Sequence, residues 1–162
     1  FWSAYFYLHF YTVNTAKLSE NVWKEAEKML EQIQKYPQKE EYQKLVEEDR
    51  INLYEREAEK GDDRKFLEET DRVFKENLKG DPAWKLYERK LVYLESKQPD
   101  ISREFERFLK KYPKVMDAYV EYSIYLCRNN KMTQAQRVYR EGRKRTGMTS
   151  KRAEELRRKL GL

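Results

Sequence analysis

The side chains that do chemistry are thinly spread in this sequence. It has one histidine, His9, and one cysteine, Cys127. Neither has a second His or Cys at metal-ligand spacing. His9 lies in the run Tyr7-Leu8-His9-Phe10, which suits a packing side chain better than a ligand or a base. Cys127 follows Tyr125-Leu126 on an apolar face and reads as a small buried hydrophobe, not a nucleophile. Asp62-Asp63 and Glu68-Glu69 carry enough charge for a cation, but their spacing fits no calcium loop. There is no glycine-rich phosphate loop. The remaining carboxylates fall where helix faces pair them with Lys and Arg at i,i+4. No catalytic set, metal, cofactor or small-molecule substrate is therefore expected. What remains is cationic: Arg143, Lys144, Arg145, Lys151, Arg152, Arg157, Arg158 and Lys159. Such a cluster suits a phosphate backbone, an acidic protein surface or an import receptor. The plain alternative is a solvated helix that caps the fold. No aromatic side chain interleaves the basic residues after Tyr139, which argues against base stacking.

The elements that position these residues read as helices throughout. Glu, Lys, Arg, Leu and Gln dominate, whereas glycine (five) and proline (four) are scarce, as suits helix and not a turn-rich sheet. Start and stop signals divide the chain. An aromatic segment occupies about 2–12. Ser19 N-caps a helix to about Tyr36, and a long acidic-basic helix over about 39–60 ends near Gly61. The next runs over about 64–79. Asp81-Pro82 opens a helix to about Ser96, Pro99-Asp100 one to Lys111-Tyr112, and Asp117 one to Asn129-Asn130. Thr133-x-x-Gln136 is a capping box, and Ser150 caps a last helix with Ala153, Leu156 and Leu160 on one face. Lys35-Tyr36-Pro37 and Lys111-Tyr112-Pro113 stop the chain in the same way, because proline cannot continue a helix interior.

Between these stops a pattern recurs. One set of helices carries an aromatic, two spacers and a tyrosine: Trp2/Tyr5, Trp84/Tyr87 and Tyr119/Tyr122. The set that follows carries Met29-Leu30, Val73-Phe74, Phe105 and Val138-Tyr139. The repeat is about 31–35 residues, the length of one helical hairpin. Residues i and i+3 share a helix face, so each Trp/Tyr pair points at the partner helix. Trp2, Tyr5, Leu30, Phe74, Trp84, Tyr87, Phe105, Tyr119, Tyr122 and Tyr139 are the expected seam. The expected fold is an all-α solenoid of antiparallel hairpins over 1–146, about four of them, with a basic capping helix at 147–162.

Bulk composition bounds the rest. Of 162 residues, 40% are charged, 39% hydrophobic and 14% aromatic, too aromatic for a disordered chain. A single cysteine excludes an internal disulfide framework and suggests an intracellular protein. No apolar run reaches the ~18 residues of a membrane span. The opening Phe1–Val13 stretch lacks the basic region and cleavage site of a signal peptide. With no initiator Met, the chain is expected to be part of a longer protein and to start inside a helix. That first helix is apolar nearly all round, which points to a covering partner, a second copy among them. Charge is segregated: residues 40–76 hold fourteen acidic and eight basic residues, and residues 137–162 hold ten basic and three acidic.

The repeat resembles the HAT (half-a-tetratricopeptide) family. Its first helix carries W-x-x-Y, and its second reads roughly A-R-x-[IV]-[FY]-E-R-A-L before a proline. Thr70-Asp-Arg-Val73-Phe74, Ile101-Ser-Arg-Glu-Phe105-Glu106-Arg107 and Ala135-Gln-Arg-Val138-Tyr139 approximate the second helix. The likeness is strong over 82–146 and weak over 38–60, where no W-x-x-Y occurs. Tetratricopeptide repeats need a small residue after the aromatic pair, where Glu88 and Phe6 stand here. Only the last repeat has small positions, Ser123, Ala135 and Gly142. The HAT resemblance implies a nuclear scaffold in RNA processing, whether splicing, mRNA 3′-end processing or ribosome biogenesis. It implies binding to other proteins of such a complex more than to RNA, and homodimers in several members. Direct RNA binding by the basic end and a tetratricopeptide-type peptide adaptor are the alternatives.

Overall fold

A computed structural model describes residues 8–10, 20–35, 40–75 and 80–162 of the chain, and all its regular structure is helical. Beyond the helical residues 8–10, the elements are α1 (Glu20–Gln34), α2 (Glu40–Glu59), α3 (Arg64–Lys75), α4 (Gly80–Glu95), α5 (Ser102–Lys111), α6 (Met116–Arg128), α7 (Met132–Thr146) and α8 (Lys151–Lys159). Ser19, Tyr36 and Pro37, which were to bound α1, lie outside the described residues, as do Trp2 and Tyr5.

The helix ends follow local chemistry. After α2, Gly61 takes φ +114°. Its N–H reaches Ala58 O at 3.0 Å, and the Asp62 N–H reaches Glu57 O at 3.3 Å. After α6, Asn130 takes φ +58°, with Asn130 N–H on Cys127 O at 3.0 Å and Lys131 N–H on Leu126 O at 2.9 Å. This double bond around one left-handed residue satisfies carbonyls that a helix end otherwise leaves open. At the end of α5 the Tyr112 N–H closes on Phe108 O, and Pro113 has no N–H with which to go on. Ser150 caps α8, its hydroxyl accepting from the Ala153 N–H at 3.1 Å.

Four expected starts are displaced, and the first is that of α5, which begins at Ser102 with Ile101, not Asp100, at its cap position. Helix α6 begins at Met116 after an extended Val115, and α7 at Met132 after Lys131, both without a side-chain cap. The Asn130–Lys131 closure feeds α7 directly, so Thr133 lies inside it and not at its cap. Asp117 sits in the first turn of α6, where its charge still favours the helix dipole. Asp81 lies within α4, which is already helical at Gly80.

Two compact units divide between Arg72 and Val73, inside α3. In the first, Leu8, Ala26, Leu30, Ile33, Val46 and Leu53 form one buried cluster with Tyr54 packed on it. Charged groups are drawn in too: Asp49 and Glu69 are buried. Asp49 lies 3.1 Å from His9 Nδ1, and Glu69 meets Arg72 at 2.6 Å and Arg50 at 3.2 Å. Pairing of this kind is what allows charges to sit inside.

In the second unit, successive helices pack antiparallel. Trp84 near the start of α4 meets Phe108 near the end of α5 with ring centroids 5.0 Å apart, while Lys90 farther along α4 meets Glu104 near the start of α5 at 3.0 Å. Phe105 stacks on Tyr122 at 4.8 Å, across α5 and α6. Helices α6 and α7 touch at both ends, through Thr146 Oγ1–Met116 Sδ at 3.5 Å and Cys127 Sγ–Met132 Sδ at 4.0 Å. Helix α8 belongs to this unit, and Ala153, Leu156 and Leu160 are its buried face. The units therefore do not divide at residue 146. Among the described residues, no helix is long and apolar enough to cross a membrane.

Candidate interaction surfaces

Spacing at i,i+3 aims the aromatic pairs inward. Phe74, Trp84, Tyr87, Phe105, Tyr119, Tyr122 and Tyr139 are all buried in the second unit, and Leu30 in the first. Tyr87 is at once a packing and a polar residue. Its ring lies 4.9 Å from Phe74 and 5.1 Å from Phe108, and its hydroxyl donates to Glu104 at 2.6 Å. Burial pushes the Glu104 carboxyl up, but the Tyr87 hydroxyl and the Lys90 ammonium outweigh it and hold the group below its ordinary value. The Tyr122 hydroxyl is pushed up to about 12, by burial first and then by Glu106. Tyr119 donates to Pro113 O at 3.2 Å, tying the Lys111-Tyr112-Pro113 turn to α6. Tyr112 packs over that turn, 4.9 Å from Phe108 and 5.8 Å from Phe74. These side chains hold helices together and leave little for a partner.

The small positions of the last repeat are buried as well. Ser123 and Ala135 have no exposed surface. A Cβ on Gly142 would stand 2.6 Å from Tyr119 Cβ, so α6 and α7 approach each other more closely there than any other residue would allow.

The basic end divides into two groups. Arg143 pairs with Glu154 at 3.1 Å, Arg145 with Glu141 at 2.8 Å, Arg157 with Glu154 at 2.8 Å, and Arg152 with Glu121. Burial pushes the Glu121 carboxyl up even with Arg152 beside it. Arg143 and Arg152 join α8 to α7 and α6, whereas Arg145 and Arg157 pair within their own helices. Lys144, Lys151, Arg158 and Lys159 are exposed, and among the described residues no such anion pairs with them.

A groove that the sequence reading did not find lies between α5 and α7, with α6 beneath it. It encloses about 520 Å³. Lys110 and Glu106 come from α5, and Arg137, Glu141 and Arg145 from α7; Tyr122, Leu126 and Val138 form the floor. A smaller cavity of about 170 Å³ lies between α4 and α6, where Val92 is exposed beside Glu88 and Arg128. Glu95 bounds it and pairs with Arg128 at 3.3 Å.

The residues singled out for chemistry are placed otherwise than a site requires. Among the described residues, no group of three His, Cys, Asp or Glu could hold a metal. Glu69 is taken up by arginines. Cys127 is half-buried instead of fully buried, and burial raises its thiol. The described residues are all-helical, and the second unit packs its successive helices antiparallel around a charge-lined groove. No family profile, curated protein or solved structure matches the chain.

Proposed function

We propose that this chain is a non-enzymatic interaction scaffold that presents a helical-repeat surface to protein partners within a nuclear RNA-processing complex. The observation that carries the scaffold reading is the division of labour in the second unit. The aromatic residues are consumed by packing, while charged residues from two helices rim a solvent-open groove. A stiff helical frame with a polar groove binds by shape and charge, without a chemical step. The RNA-processing setting rests on the W-x-x-Y and A-R-x-[IV]-[FY] resemblance. The test is affinity capture from nuclear extract with and without RNase. Proteins retained after RNase treatment support the reading, and loss of every partner on RNase treatment refutes it.

Direct RNA binding is the second reading, favoured by Lys144, Lys151, Arg158 and Lys159, which are exposed and meet no anion among the described residues. Four phosphate contacts would make log affinity fall with log salt at a slope of about −3, from about −0.7 per contact on single strands. A flat salt response would exclude it.

A further inference from the structure

The α5–α7 groove has cations on both walls that the fold itself does not use. Lys110 on α5 and Arg137 on α7 are exposed, and among the described residues no carboxylate pairs with them. The carboxylates beside them are partly committed. Glu141 is held by Arg145 at 2.8 Å, and Glu106 accepts the Tyr122 hydroxyl at 3.2 Å. The lining keeps one more positive than negative charge, and exposed Lys144 on α7 adds to the field. The floor is apolar at Leu126 and Val138, with Leu109 half-buried at the edge. Since α5 and α7 both run antiparallel to α6, they run parallel to each other. The groove is thus a trough and not a closed pocket.

We propose that this trough is the docking site for an acidic segment of a partner protein. Its Asp or Glu side chains pair with Lys110 and Arg137 on opposite walls, and an interspersed Leu, Ile or Val rests against Leu109 and Val138. The inference deepens the scaffold reading and rests on it. Cations on two facing helices favour an anionic chain that passes between them, because one flanking carboxylate can meet each wall. Like-charged segments are rejected by the same pair, so the cations supply specificity as well as attraction. The groove is large enough for a few side chains, which limits the contact to a short segment.

The experiment is selection of random twelve-residue peptides, displayed on phage, against the full chain. Selected peptides are then titrated by fluorescence anisotropy. The expected result is enrichment of peptides with net negative charge and one or two aliphatic residues. Their affinity should fall about tenfold or more in Lys110→Glu/Arg137→Glu and recover in part in Lys110→Arg/Arg137→Lys. Both positions are exposed, so circular dichroism of the charge-reversed variant should match the parent. Lys151→Glu/Arg158→Glu/Lys159→Glu should bind the same peptides unchanged. Enrichment without acidic bias, no enrichment, or equal affinity for the charge-reversed variant overturns the proposal. So does a labelled oligouridylate whose binding, and not that of any peptide, is abolished by Lys110→Glu/Arg137→Glu. Such failures leave the scaffold reading standing if RNase-resistant partners are still captured, whereas failure of that capture removes both.

Discussion

Gly142→Ala sets two effects of opposite sign against each other. Alanine is the better helix former by about 1 kcal/mol, and at an exposed site in mid-helix the change would stabilise. At position 142 the new Cβ would stand 2.6 Å from both Cβ and Cγ of Tyr119 and 3.0 Å from its Cδ2. Carbon atoms pack at about 3.5–4.0 Å, so α7 must withdraw from α6 by about 1 Å. No rotamer change of Tyr119 escapes this, since its Cβ is fixed to the α6 backbone. Withdrawal loosens Ser123, Ala135, Val138 and Tyr139, all buried at or beside this contact. Overpacking of this kind costs about 1–3 kcal/mol and occasionally more. A clash with a backbone-fixed Cβ lies at the upper end of that range, about 2–3 kcal/mol, so after the helix-propensity gain the expected net loss is about 1–2 kcal/mol, which in a chain of this length lowers the thermal midpoint by about 2–8 °C. Far-UV circular dichroism during heating measures it. Because Tyr119→Ala retains the Cβ, the penalty should persist in that background. A Gly142→Ala chain as stable as the parent, or more so, would refute the close approach of α6 and α7.

Trp84→Ala should cost about 3–5 kcal/mol, because Trp84 is buried and packs on Phe108 and Phe105 with ring centroids 5.0 and 6.4 Å away; a loss under about 1 kcal/mol in urea denaturation contradicts its place in the seam. Tyr139→Phe should leave stability unchanged or raise it, since the Tyr139 hydroxyl is buried and finds no hydrogen-bond partner among the described residues. Tyr125→Phe should cost about 1 kcal/mol, because its hydroxyl accepts from the Ile101 N–H at 3.1 Å and donates to Asp100 at 3.3 Å. Glu104 is held below its ordinary 4.5, so its stabilisation is present above that pH and is lost as pH falls through the lower folded-state value. Glu104→Gln should therefore be the less stable chain at pH 7, with the gap closing below about pH 4; urea midpoints at the two pH values that differ by the same amount would contradict the Tyr87–Glu104–Lys90 assignment.

What could be read from the sequence was what local geometry dictates. The i,i+3 spacing of Trp84/Tyr87 and Tyr119/Tyr122 settles their inward direction without knowledge of the partner helix, and all four are buried. Ser150, with Ala153, Leu156 and Leu160, specifies both the start and the buried face of α8, because the cap and the face lie within ten residues of each other. Helix α2 was legible as a long charged helix over about 39–60 and runs Glu40–Glu59, but its buried face resisted reading for a physical reason. It buries Val46, Asp49, Ile51, Leu53 and Ala58, positions spread over more than one face and including a carboxylate. A pattern based on one apolar stripe cannot pick out such buried positions, and nothing near Asp49 in sequence announces His9. The starts of α6 and α7 were displaced for another reason. Val115 is extended, and the Asn130–Lys131 closure carries the chain directly from one helix into the next, so the polar residues that resemble caps lie one or two positions inside. The groove was beyond reach because Lys110 and Arg137 are far apart in sequence and come together only when α5 and α7 flank α6.

The basic tail shows how a charge count and a charge field differ. Residues 137–162 carry ten cations, which suggests one strong positive patch at the C-terminal end. In the folded chain Arg143, Arg145, Arg152 and Arg157 are spent on Glu154, Glu141 and Glu121. Arg143 and Arg152 fix α8 against α7 and α6, Arg157 is held within α8, and Arg145 occupies Glu141 in the groove wall. Exposed ion pairs of this kind stabilise little, about 0–1 kcal/mol each, but they remove those cations from the set that meets a partner. Six remain: Lys144, Lys151, Arg158 and Lys159 near the end, Arg140 exposed on α7, and Arg137, which faces Lys110 of α5 across the trough. A partner drawn to the terminal set meets cations alone, with no aromatic side chain for a base to stack on after Tyr139. A partner drawn to the trough meets cations and apolar floor together. Long-range attraction is common to both places and depends on ionic strength, but only the trough adds apolar contact that salt leaves intact. Binding that survives at high salt, and that Lys110→Glu/Arg137→Glu abolishes, would therefore belong to the groove and not to the tail.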